Sequence, residues 1–109
     1  AGSFPPGTPD VVVAEAGTPA ARSLLQLALR FDGERVIATR FRAYGCPTTI
    51  AVGAWLAVWA EGKTTAELAA LKAPTIRAAL EIPEDRAHCA LLGEDALRAV
   101  LARHKEEMA

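Results

Sequence analysis

Two thiols and one imidazole are the side chains of this chain with the most chemistry in them. Cys46 stands directly before Pro47, at the cap position of an apolar helix, and Cys89 directly follows His88 near the start of the last helix. Unpaired backbone N–H groups and the helix dipole favour a thiolate in such places. A thiolate is both a soft-metal ligand and a sulfur nucleophile. His88 and Cys89 are neighbours on a helix and point about 100 degrees apart, so they converge on one ion only at a loosely wound helix start. A plainer reading stands beside this one. Cys89, Leu92, Ala96 and Val100 follow helical spacing as a core stripe, and free cysteine is among the most buried residue types. On the same reasoning His88 alone is a surface or hydrogen-bonded histidine, His104 a solvated tail residue, and Trp55 with Trp59 a core pair. The chain holds no Cys-x-x-Cys pair, no glycine-rich phosphate loop and no Gly-x-Ser-x-Gly elbow. Residue types and spacing leave the function open at this point.

The elements that must position these groups follow from the pattern. Pro5, Pro6, Gly7 and Pro9 rule out a helix in the first ten residues, which read as an extended arm. Val11 to Ala14 is a short β-prone stretch ending in the loop signal Gly17-Thr18-Pro19. From Ser23 to Phe31, Leu25, Leu27 and Leu29 alternate with Gln26, Ala28 and Arg30, the period of a half-buried strand. Asp32-Gly33 is a hairpin turn. Arg35 to Tyr44 alternates again, Val36 and Ala38 on one face, Arg40 and Arg42 outward with Phe41 opposite. Pro47 to Ala60 is a helix with Pro in its first turn. It is apolar nearly all round, and so is expected to be the buried central helix. Thr64 or Thr65 caps a short helix through Leu71, and Glu67 completes a capping box if Thr64 is the cap. Pro74 to Leu80 is another short helix. Pro83 opens the last, which has Glu84 and Asp85 in its first turn and runs to about Lys105. Strands first and helices after predict an α+β fold: a three-stranded antiparallel meander packed against about four helices, with an extended N-terminal arm.

Bulk properties narrow the class. At 109 residues the chain fits a single domain over 1–109, and 51% hydrophobic residues are ample for a core without staples. A formal net charge of −1 and no basic stripe argue against nucleic acid as a partner. The apolar run Ile50 to Ala60 is far short of the roughly 20 residues of a membrane span. Two cysteines are too few for a disulfide framework, although a single bridge is open to them. With no signal peptide in view, reduced thiols in the cytoplasm are expected. The chain opens on Ala1 rather than Met, which suggests that an N-terminal segment has been removed.

Three stretches carry a resemblance to a known family. Phe41-Arg42-Ala43-Tyr44-Gly45-Cys46, followed by an apolar helix and Gly62-Lys63-Thr64, resembles the second cysteine region of the NifU/IscU iron–sulfur cluster scaffolds. Arg86-Ala87-His88-Cys89-Ala90-Leu91-Leu92-Gly93-Glu94-Asp95-Ala96-Leu97 resembles the third. Gly17-Thr18-Pro19-Ala20-Ala21 resembles the loop that carries the first cysteine, and Gly2-Ser3-Phe4 the family's N-terminal arm. The order and spacing of these motifs cover essentially the whole chain.

The resemblance implies a scaffold or carrier rather than an enzyme. In the family, three cysteines with an aspartate or the histidine hold a nascent iron–sulfur cluster, a cysteine desulfurase supplies the sulfur, and acceptor proteins take the cluster. Carried over by position, Cys46, Cys89 and His88 are the metal ligands, Cys89 the candidate persulfide acceptor and Arg86 its basic neighbour. The first cysteine falls on Ala21 and the aspartate on Ser23, so two ligand positions are degenerate. A Leu-Pro-Pro-Val-Lys segment that a dedicated chaperone recognises in many bacterial members is replaced by Ile82-Pro83-Glu84-Asp85-Arg86. The implied cargo is a transient iron–sulfur cluster or iron, with zinc able to take the same donors. Structural sites generally use four ligands. Water, or a homodimer pairing Cys46 and Cys89 from each chain, would complete the set. Two other functions stay open: a cluster-less paralogue acting as a partner-binding or regulatory module, and a thiol enzyme or redox switch built on Cys46 and Cys89.

Overall fold

A computed structural model describes residues 4–18 and 22–108 of the chain. Three antiparallel strands, β1 (Val11–Thr18), β2 (Ser23–Asp32) and β3 (Arg35–Tyr44), form a sheet in the order β1-β2-β3. The helices follow: α1 (Pro47–Ala60), α2 (Thr65–Ala70), α3 (Ala73–Ala79) and α4 (Ala87–Met108), the last preceded by a 3-10 turn over Glu84–Arg86. The meander and the strands-then-helices order are those read from the sequence.

β2 is the central strand, and its leucines carry the core: Leu25, Leu27 and Leu29 are all at most 1% exposed. A single sequence parity cannot describe β3. Arg30 pairs with Ala38 but Phe31 pairs with Val36, so Ile37 is an extra residue in the strand. Such a bulge switches the faces. Val36 points inward before it, Thr39 after it, and Arg40 and Arg42 stay outward. α2 is closed by the expected capping box, in which Glu67 N–H donates to Thr64 Oγ1 and Thr64 N–H donates to the Glu67 carboxylate.

Four expectations are corrected. β1 is longer than Val11–Ala14: Gly17 and Thr18 pair with Leu24 and Ser23, because the ladder supplies partners that local turn propensity ignores. The arm is not simply extended. Thr8 N–H and Oγ1 both donate to Pro5 O, closing a turn, and the Phe4 ring lies 4.8 Å from the Arg40 guanidinium. α1 is not buried all round. Thr49, Val52, Gly53, Leu56 and Ala60 face the sheet and α4, while Ile50 is 45% and Val58 79% exposed because no element among the described residues covers that side. His104 is not a solvated tail residue. α4 reaches three residues beyond Lys105, and the His104 ring is buried and stacked on Phe31 at 3.9 Å. No helix among the described residues is long and apolar enough to cross a membrane.

Candidate functional site

Cys46 is the N-cap of α1, held in an extended conformation after Gly45. Gly45 sits at φ 130, and a Cβ there would lie 2.9 Å from Arg22 O and 3.0 Å from Ser23 Oγ. Only glycine lets the end of β3 approach the start of β2 this closely. The same contact puts Ser23, a degenerate ligand position, beside the residue preceding Cys46. Ala21, the other degenerate position, lies outside the described residues. Cys89 is the third residue of α4, and it joins the core cluster as the stripe reading requires.

Tertiary packing of α1 against α4 brings the two cysteines together. Their Sγ atoms are 3.6 Å apart, both as free thiols. His88 Nε2 lies 3.6 Å from Cys89 Sγ, the imidazole curling back toward its neighbour while the rest of the residue faces solvent. Burial of Cys89 and proximity to Cys46 are therefore compatible: the stripe residue is also the inner wall of the site. Arg86 is exposed in the 3-10 turn, and its charge acts on the Cys89 sulfur. Donor chemistry fits soft metals, but His, Cys, Asp and Glu side chains do not gather in threes around one point among the described residues.

Thr49 completes the cluster, and nothing in the sequence pattern singled it out. Its hydroxyl, fully buried one turn into α1, is 3.6 Å from Cys46 Sγ and 3.4 Å from Cys89 Sγ. The available signal was its position three residues after a cap cysteine, where a hydroxyl can face back toward the cap. Its effect is electrostatic. The Thr49 hydroxyl, helped by the Thr49 and Thr48 amides and the Cys89 thiol and opposed by partial burial, draws the Cys46 pKa down to about 6. Burial pushes the Cys89 thiol up, against the Thr49 hydroxyl and the Arg86 charge. Near neutral pH the pair therefore holds one proton, with Cys46 the thiolate and Cys89 the S–H donor to it.

With the site in view, known proteins can be set beside it. The family of NifU-like N-terminal domains matches residues 1–109. The chain belongs to this family. The NifU-like chain is 34% identical over 107 residues to the iron–sulfur cluster assembly scaffold protein IscU of Escherichia coli K12, covering 97% of the chain and 84% of IscU. It is 32% identical over 107 residues to iron–sulfur cluster assembly protein 3 of Arabidopsis thaliana, of which it spans 63%. Among solved structures, a Fervidobacterium islandicum AW-1 protein described as a SUF-system iron–sulfur cluster assembly scaffold superposes with a TM-score of 0.67. That match covers 83% of this chain and 79% of the other at 20% identity, and so speaks to the fold alone.

Proposed function

We propose that this NifU-like domain is a scaffold or carrier for iron–sulfur cluster assembly. Its cargo is iron or a nascent cluster, held through Cys46, Cys89 and His88, with zinc able to occupy the same donors. The observation that carries this reading is the 3.6 Å approach of two free thiols from distant stretches of chain, beside an imidazole, in a family whose named members are assembly scaffolds. Cys46 is the half-buried, deprotonated sulfur and the first donor an arriving ion would meet; Cys89 lies against it, and His88, in contact with Cys89 alone, would have to swing inward to share the ion. A cysteine desulfurase supplies sulfur, with Cys89 as the persulfide-bearing residue and Arg86 beside it, and acceptor proteins remove the product. The role is stoichiometric, not enzymatic, and is placed in the cytoplasm. Ser23 and Ala21 contribute no charged ligand, so a water or a second copy of the chain supplies the fourth donor.

The degenerate positions also favour a second reading, a cluster-less paralogue that binds partners or regulates them. Anaerobic reconstitution with iron, cysteine and a desulfurase separates the two. Under the scaffold reading, sulfur-to-iron charge-transfer bands appear in the visible spectrum, and Cys46→Ser and Cys89→Ser each abolish them. Desulfurase capture by the chain without any colour would establish the second reading instead.

A further inference from the structure

We propose that Cys46 and Cys89 form a reversible dithiol–disulfide couple that closes this site to cargo when a hydroperoxide is present. Two sulfurs 3.6 Å apart need to move together by only about 1.5 Å to reach a bond of about 2.05 Å. The geometry favours bridging over other fates of the same thiols. Cys46 is half-buried and reachable, whereas Cys89 is 0% exposed, so an external oxidant meets Cys46 first. The only cysteine within reach of an oxidised Cys46 in the same chain is the one already in contact with it. Cys46 is the N-cap of α1, one residue outside the helix proper, so turning its side chain toward Cys89 unwinds no helical turn.

The chemistry balances with the hydroperoxide as the sole oxidant. The Cys46 sulfur attacks the peroxide, the O–O bond breaks, and one oxygen leaves as water or alcohol while the sulfur becomes a sulfenic acid. The Cys89 sulfur then attacks the Cys46 sulfur, the S–O bond breaks, and the hydroxyl leaves as water with the Cys89 proton. Two thiols lose two electrons in all, and a dithiol reductant returns them. The Thr49 hydroxyl is in contact with both sulfurs. The disulfide removes both sulfur donors at once. This consequence for cargo rests on the scaffold reading; the couple itself does not.

The test treats the reduced full chain with one equivalent of hydrogen peroxide under otherwise anaerobic conditions. The expected product is a monomer lighter by two hydrogens, resistant to iodoacetamide even after unfolding in urea, with a linked peptide pair containing Cys46 and Cys89. Dithiothreitol restores the mass and the labelling. In Cys89→Ser the reaction stops at a Cys46 sulfenic acid, trapped by dimedone. A native chain that gains oxygen, keeps both thiols alkylatable or links to a second chain through Cys46 overturns the couple. Reconstitution with iron and sulfide is read on the reduced, oxidised and re-reduced samples. Colour in the first and third only is the expected result. A disulfide in a chain that never colours upholds the couple and removes the scaffold reading; colour without a disulfide does the reverse.

Discussion

The Thr49 hydroxyl, 3.4 Å and 3.6 Å from the two sulfurs, has one proton to give, and the more exposed Cys46 gains the larger benefit. Its pKa of about 6 lies well below the ordinary thiol value of 9.0. The sign is that of an acid stabilised in its charged form: thiolate is present above pH 6 and lost below it. Iodoacetamide labelling of Cys46, followed by peptide mass, should therefore rise through pH 6 and level off by neutrality. Thr49→Val keeps the shape and removes the donor. It should move the midpoint upward and slow labelling at pH 7 by about three- to tenfold, since thiolate fraction falls while intrinsic nucleophilicity rises. An unmoved midpoint would show that the backbone amides and the Cys89 thiol set the Cys46 charge without the hydroxyl. His88 and Arg86 were legible as candidates beside Cys89; Thr49 was not, because its role depends on a sulfur 40 residues away.

At the scale of elements, the sulfurs meet because α1 and α4 cross at close range. A Cβ added to Gly93 on α4 would stand 2.5 Å from Val52 Cγ1 and 3.1 Å from Leu56 Cδ1 of α1. Two effects oppose each other in Gly93→Ala. Helix propensity favours alanine by about 1 kcal/mol, while overpacking costs about 1–3 kcal/mol. Val52 is β-branched and 0% exposed, so it cannot turn aside, and the clash should win. Urea denaturation should show a net loss of about 1–2 kcal/mol. A gain in stability would mean that the crossing is loose, and with it the 3.6 Å sulfur contact. The helices themselves were readable from Pro47, the Thr64–Glu67 box and the spacing of α4. The crossing was not, because a glycine in a helical pattern does not announce which helix it admits.

At the scale of the whole molecule, the last helix is fastened through the sheet to the segment that precedes β1. Phe31 N–H donates to Asp10 O at 2.9 Å, and its ring stacks on His104, so arm, sheet and the end of α4 meet there. His104 Nε2 is buried without a hydrogen-bond partner among the described residues, a situation that costs about 1–3 kcal/mol. His104→Phe should keep the stack and remove the orphaned nitrogen, leaving thermal stability equal to or above that of the native chain. His104→Ala should lower it by about 2 kcal/mol through the cavity left against Phe31. Melting curves that fall equally for both would show that the imidazole nitrogen, not the ring, does the fastening.

Periodicity and caps are local, and so the sequence alone determined the strand and helix order and the Asp32-Gly33 hairpin, and it offered the two thiols and the imidazole as candidates. The resemblance of the stretches around Cys46 and His88-Cys89 to the scaffold motifs pointed to the family that the chain belongs to. Tertiary structure alone decided what those groups are to one another: the 3.6 Å pairing of Cys46 with Cys89, the hydroxyl beside both, their opposite pKa shifts, and the burial of His104. It also decided that α1 keeps an open apolar side. Those outcomes depend on which faces meet, and a face is occupied or left bare by residues distant in sequence, whose positions no local pattern encodes.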